Sequence, residues 1–103
     1  NFPLAMATRK IAPAIAAGCT MIIKPAALTP LATLMFAKVL EDCGLPKGVL
    51  NVIQTQQAGA VTGPLIKDSR LRKLSFTGST GIGRRLIADS ADQVLRVSKE
   101  LFF

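Results

Sequence analysis

Tyrosine and tryptophan are absent from this 103-residue chain, and acids are scarce: six against thirteen Lys and Arg, a formal net charge of +7. The five phenylalanines do not interleave with the basic residues, so stacking on nucleic-acid bases has little support and no nucleic-acid partner is expected. Cysteine is limited to Cys19 and Cys43, too few for a disulfide framework. Both are expected to be small buried hydrophobes at the amino edge of a sheet, in a reduced cytoplasmic setting or, in a eukaryote, the mitochondrial matrix. Long apolar runs are also missing. Arg9-Lys10 and Lys24 interrupt them too early for a bilayer span, and no signal peptide or lipidation motif is visible, so no membrane partner is expected. Nor is there an initiator Met: Asn1-Phe2-Pro3 reads as a cut start.

What the chain does have is apolar content, half of its residues, enough for the core of one domain or part of one. Its basic residues are scattered from Arg9 to Lys99. That distribution fits a solvated basic surface, an unbalanced piece of a larger protein, or a non-enzymatic basic module that binds polyanions or a partner subunit.

Helical and extended patterns alternate. Residues 3–17 are Ala-rich with Leu4, Ile11 and Ile15 at helical spacing, Pro13 inside and Gly18 at the stop. Thr20-Met21-Ile22-Ile23 reads as a short strand covered on both faces. Thr29 and Pro30 supply an N-cap and a first-turn proline for a helix with Ala32, Phe36, Val39 and Cys43 on one face, ending at Gly44. A second strand follows over 49–53, then a short helix over 61–68 with Pro64 in its first turn. A third strand spans 73–76, a helix 80–90, and a fourth strand 94–101. The alternation predicts an α/β fold, an open parallel sheet of about four strands with right-handed crossovers. Ligands of such sheets bind beyond the carboxyl ends of the strands. Lys24, the Gly78-Ser79-Thr80 turn and Glu100 are therefore expected on one rim.

That turn carries the chemistry. In Ser75-Phe76-Thr77-Gly78-Ser79-Thr80-Gly81-Ile82-Gly83 an apolar strand runs into glycines and hydroxyls that open a helix. Helix starts present N–H groups without partners and the positive end of the macrodipole, which together favour an anion such as phosphate. Gly78 and Gly83 let the turn tighten and a ligand approach the backbone, while Ser79 and Thr80 can cap the helix or bond phosphate oxygen. Taken alone, such a pattern is more often only a turn with an N-cap.

The order and spacing of Asn1-Phe2-Pro3, Gly18-Cys19-Thr20, Lys24-Pro25-Ala26, Thr29-Pro30, Leu50-Asn51-Val52, Phe76-Thr77-Gly78-Ser79-Thr80 and Glu100-Leu101 resemble the cofactor domain of the aldehyde dehydrogenase superfamily. Ala5-Met6-Ala7-Thr8-Arg9-Lys10 and Val97-Ser98 are most similar to its succinate-semialdehyde dehydrogenases. The resemblance implies that residues 1–103 form a partial, Rossmann-like dinucleotide-binding domain. The parent would be a homo-oligomer that oxidises a small aldehyde, succinate semialdehyde, with NAD or NADP. Asn1 would be the side-chain donor of the oxyanion hole, and Glu100 the general base, its pKa raised at the inner end of a buried strand. Lys24, Pro25 and Ala26 would meet the adenine-side ribose. Ser79 and Thr80, with Gly78 and Gly83, would meet the pyrophosphate, and Leu101 the cofactor beyond. Ala27 stands where NAD-preferring relatives often carry an acid, so NADP should be tolerated or preferred. Arg9 would clamp the distal carboxylate of the substrate, a task suited to its planar fork. No metal is implied.

The resemblance also marks departures. It places the nucleophilic cysteine beyond Phe103, along with the oligomerisation parts, so the isolated chain should be catalytically inactive. Lys99 replaces an apolar residue, Phe102-Phe103 replaces two glycines, and Gly81 replaces an acid or Thr that would tighten the helix start.

Overall fold

The computed structural model of the chain describes residues 2–102. Four helices and four strands alternate: α1 (Pro3–Ala16), β1 (Met21–Ile23), α2 (Leu31–Asp42), β2 (Leu50–Val52), α3 (Ala58–Ile66), β3 (Lys73–Ser79), α4 (Thr80–Ser90) and, after a 3₁₀ turn at Ala91–Gln93, β4 (Arg96–Phe102). The α/β class is as the pattern predicts. The described residues form two compact units, divided between Gln56 and Gln57.

In the first unit β1 and β2 pair in parallel, Met21 opposite Leu50 and Ile23 opposite Val52. Ala7 and Ile11 of α1 and Ile23 of β1 are the centre of its core, with Ile15, Met21, Phe36, Leu40, Leu50 and Val52 packed around them. Both helices thus cover the same face of the ladder, and the strands are not covered twice as expected: Ile22, between Met21 and Ile23, is 47% exposed. The buried face of α2 is also one residue away from the predicted one. Ala32 and Phe36 of the predicted face are half-buried, but Val39 and Cys43 face out, while Thr33 is buried and Ala37 and Leu40 are half-buried. Cys19 is exposed too, so the expected burial of both cysteines is corrected. The reason is positional. Cys19 lies in the turn that follows α1, and Cys43 is the residue that caps α2, each beyond the span that packs.

Both of these helices stop at a glycine of positive φ, Gly18 at 71° and Gly44 at 91°. In each case the next N–H closes the helix end, Cys19 N to Ala14 O and Leu45 N to Leu40 O, both at 2.9 Å. The Asn51 side chain donates to Met21 O and to Gly48 O, at 3.2 and 2.9 Å, and so ties the start of β2 to β1.

The second unit repeats the scheme with a longer ladder. β3 and β4 run parallel in register from Lys73 opposite Arg96 to Ser79 opposite Phe102. α4 packs against both strands, with Gly83 and Ser90 buried, and Ile66 of α3 is buried as well. Helix α3 starts three residues earlier than predicted, which leaves Pro64 inside it instead of in its first turn. Below it, Asp68 accepts from the Arg70 side chain at 2.9 and 2.7 Å and from its N–H at 2.9 Å. Those hydrogen bonds hold the Asp68 carboxyl well below the usual carboxylate range. The Gln93 amide donates to Lys67 O and pins the turn before β4.

The expected single sheet is the main difference. Among the described residues the strands form two two-stranded ladders, β1-β2 and β3-β4, not one sheet of four. Helix-strand alternation accounts for the parallel pairing of β1 with β2 and of β3 with β4. It carries no information on which strands are hydrogen-bonded neighbours.

Val94 occupies the position that glycine holds after α1 and α2. Its φ is 51°, it is 89% exposed, and the Leu95 N–H reaches back to Ser90 O at 3.4 Å. A β-branched side chain in this left-handed region is disfavoured by about 1–2 kcal/mol, more than the entropy that glycine forfeits on folding. Val94→Gly is therefore expected to raise the melting temperature by about 3 °C, a net gain of roughly 0.5 kcal/mol. A thermal melt that falls or stays level would contradict the strain. Among the described residues no helix is long and apolar enough to cross a membrane.

Candidate functional site

β3 passes into α4 with no intervening loop: Ser79 ends the strand and Thr80 begins the helix. Ser79 is the N-cap residue, extended at φ −70° and ψ 149°, yet it makes no side-chain capping hydrogen bond. No acid lies in the first turn either. The N–H groups that open α4 thus have neither a side-chain acceptor at the cap nor an acid in the first turn, which is the arrangement that receives an anion. Glycine serves two purposes here. At Gly78 a Cβ atom would come within 2.6 Å of Cζ of Phe76, so the phenyl ring covers the space that a side chain would need. At Gly81 nothing lies within 4 Å of such an atom, and the first turn stays open to an approaching ligand.

Beside this junction runs β4. Thr77 is opposite Glu100 and Gly78 is opposite Leu101, so Glu100 lies at the carboxyl end of the ladder, two positions before the level of Ser79. Paired residues of a ladder share a face. Ser75, Thr77 and Ser79 therefore stand with Ser98 and Glu100, and Lys99 stands with Phe76 on the side of Leu74 and Val97. Glu100 is exposed, which corrects the expectation of a carboxylate on a buried strand end. Its face of the ladder carries Ser75, Thr77 and Ser98, and α4 packs against both strands.

In the first unit Lys24 follows directly on β1 and is half-buried, with Nζ donating to Pro25 O at 2.9 Å. Pro25 is buried. Ala26 and Ala27 are exposed, and Thr29 N closes a turn onto Ala26 O at 3.1 Å. The Gln54 amide, at the carboxyl end of β2, donates to Ala27 O at 3.5 Å. In the sequence Gln54 is a polar residue one step past the strand predicted over 49–53, and nothing in that signal points across to Ala27. Arg9 is exposed on α1 beside Lys10. Asn1 lies outside the described residues.

Each unit thus brings part of the predicted set together: Lys24, Pro25, Ala26 and Ala27 in the first, Gly78, Ser79, Thr80, Gly83, Glu100 and Leu101 in the second.

This geometry has close counterparts. The chain is 62% identical over 101 residues to a succinate-semialdehyde dehydrogenase of Paenarthrobacter nicotinovorans, a match that covers 98% of this chain and 22% of that protein. It is 54% identical over 101 residues to a glutarate-semialdehyde dehydrogenase of Pseudomonas aeruginosa, covering 98% of this chain and 21% of that one. The crystal structure of an Escherichia coli NADP-dependent enzyme superposes with a TM-score of 0.95 at 50% sequence identity, over 99% of this chain and 21% of the other. The chain spans about a fifth of the length of the curated relatives it matches. The family profile described as aldehyde dehydrogenase matches residues 1–101, and the chain belongs to the aldehyde dehydrogenase family, with the fold of its cofactor domain.

Proposed function

We propose that this chain is part of the dinucleotide-binding domain of an NAD(P)-dependent dehydrogenase acting on an aldehyde with a distal carboxylate, succinate semialdehyde first and its one-carbon-longer homologue next. The single observation that carries this reading is the uncapped start of α4, reached directly from β3, with Glu100 on the neighbouring parallel strand. The N–H groups of the first turn, aided by the Ser79 and Thr80 hydroxyls, bind the pyrophosphate. Lys24 exchanges its bond to Pro25 O for one to the adenine-side ribose. Ala27 brings no carboxylate to that ribose, which favours NADP over NAD. The bound dinucleotide supplies a hydride acceptor.

Around the aldehyde, Asn1 donates to the oxygen on which negative charge develops, Glu100 takes a proton from the hydrolytic water, and Arg9 pairs with the distal carboxylate. The thiolate that such a reaction requires is not provided by Cys19 or Cys43. Cys43 ends α2 and Cys19 lies before β1, so both are away from the carboxyl ends of the strands.

Two measurements test the reading. Calorimetric titration with NADPH should show weak, saturable binding that Lys24→Ala lowers about tenfold, because a charge-assisted hydrogen bond is lost. Absence of binding, or a Lys24→Ala variant that binds as well, counts against it. An NADP+ reduction assay with succinate semialdehyde should show no turnover by this chain alone. Clear turnover would mean that a nucleophile is present which the reading denies.

A further inference from the structure

The first unit keeps its negative charge away from the ligand rim. Its acids are Glu41 and Asp42, both in the last turn of α2 and both engaged by Lys38, at 3.1 and 2.8 Å. That turn leads to the beginning of β2, so the pair flanks the amino ends of the strands. The carboxyl ends carry Lys24, the loop from Pro25 to Pro30, and then Gln54, with no carboxylate among them. Two donors therefore serve this loop from two strands: the Lys24 ammonium, bonded to Pro25 O, and the Gln54 amide, bonded to Ala27 O.

The Gln54 contact differs from the other. At 3.5 Å it is at the long limit of a hydrogen bond and holds the loop weakly. The side chain is exposed, and a primary amide has two N–H groups, of which this contact uses one. A long, exposed bond with a second donor available is readily exchanged for a stronger acceptor, and a phosphate oxygen is such an acceptor.

We infer that Gln54 is a specificity-determining residue for the adenosine half of the dinucleotide, donating to a 2′-phosphate carried beside Ala27. The inference rests on the dinucleotide reading above and adds to it a residue from the neighbouring strand. Its logic is that of a neutral donor. An amide at this place strengthens binding of a phosphate and is nearly indifferent to a hydroxyl. A carboxylate of the same shape accepts from the hydroxyl and repels the phosphate. A merely structural role, pinning Ala27 O, would affect both kinds of ribose alike.

The test is calorimetric titration of the chain with adenosine 2′,5′-bisphosphate and, separately, adenosine 5′-monophosphate. The natural chain should bind the bisphosphate more tightly. Gln54→Glu should lower bisphosphate affinity about tenfold and leave monophosphate affinity within about twofold, while Gln54→Leu should lower the bisphosphate alone, by about threefold. Ala27→Asp, which brings a carboxylate from the loop itself, gives the scale of the effect at the site, and far-UV circular dichroism verifies that each variant keeps its helices. If Ala27→Asp changes the ratio of the two affinities and Gln54→Glu does not, the assignment of Gln54 is overturned and the dinucleotide reading stands. Equal losses for both probes overturn it as well. If the natural chain binds neither probe, the dinucleotide reading itself has failed.

Discussion

Ser79→Asp is expected to make the protein more stable and its dinucleotide affinity at least tenfold weaker. The two effects have one origin. Ser79 is the N-cap of α4, in extended conformation, and its hydroxyl makes no capping bond; the first turn contains no acid. An aspartate there accepts from the opening N–H groups and places negative charge at the positive end of the helix, a gain of about 0.3–1 kcal/mol. For a domain of this size that is a rise of roughly 2–6 °C in melting temperature. The same carboxylate occupies the donors that a pyrophosphate would need and repels it. Like charges close together disfavour binding by several kcal/mol, so tenfold is the smaller end of the expected loss. Ser79→Ala separates stability from function in the other direction. With no cap bond to lose it should melt within about 1 °C of the natural chain, a change well inside what surface substitutions give. A higher melting temperature for Ser79→Asp with unchanged NADPH affinity would show that the start of α4 is a plain helix cap and that the phosphate is held elsewhere.

How far the sequence discloses this arrangement depends on the kind of residue that carries each feature. The β3-α4 junction is legible because glycine and hydroxyl residues mark it chemically, and α4 spans residues 80–90 as its pattern predicts. Gly18 and Gly44 likewise announce the ends of α1 and α2, since each is needed for a positive φ. Val94 performs the same turn with an apolar, β-branched residue, and nothing in its identity suggests the left-handed conformation. The buried face of α2 is misread for a related reason. Thr33 is polar and buried, Val39 apolar and exposed, so hydrophobic spacing points one residue away from the packed side. Strand neighbours are less legible still. The division into two ladders follows from contacts that span many residues, whereas periodicity reports only local direction. Within the candidate site, Gln54 shows the same limit. Its amide acts on Ala27, 27 residues earlier, through a juxtaposition that only pairing of β1 with β2 creates.

Ile11→Ala is expected to remove a large part of the stability and, with it, the order of the ligand rim in the first unit. Ile11 is 1% exposed and shares its cluster with Ala7 and Ile23. Among the described residues few apolar side chains are buried, Ala7, Ile11, Ile23 and Ile66 together with Pro25, so the core has little to spare. A domain of this length is held by about 5–15 kcal/mol in total. Truncating a buried isoleucine to alanine removes about 2–5 kcal/mol, part of it transfer free energy and part the cavity left behind. The cavity would lie against Ile23, the last residue of β1, and the next residue is Lys24. Loosening that strand end releases the half-buried lysine and the Pro25–Ala27 loop together. The expected result is a fall of at least 10 °C in melting temperature, with amide protection lost in β1 and β2. NADPH affinity should fall with it even though Ile11 touches no ligand. Val39→Ala, on the exposed side of α2, is the matched control and should change stability by less than about 0.5 kcal/mol. If the two variants melt alike, Ile11 is not the centre of a packed core, and the rim that Lys24 occupies owes its order to something other than the packing beneath it.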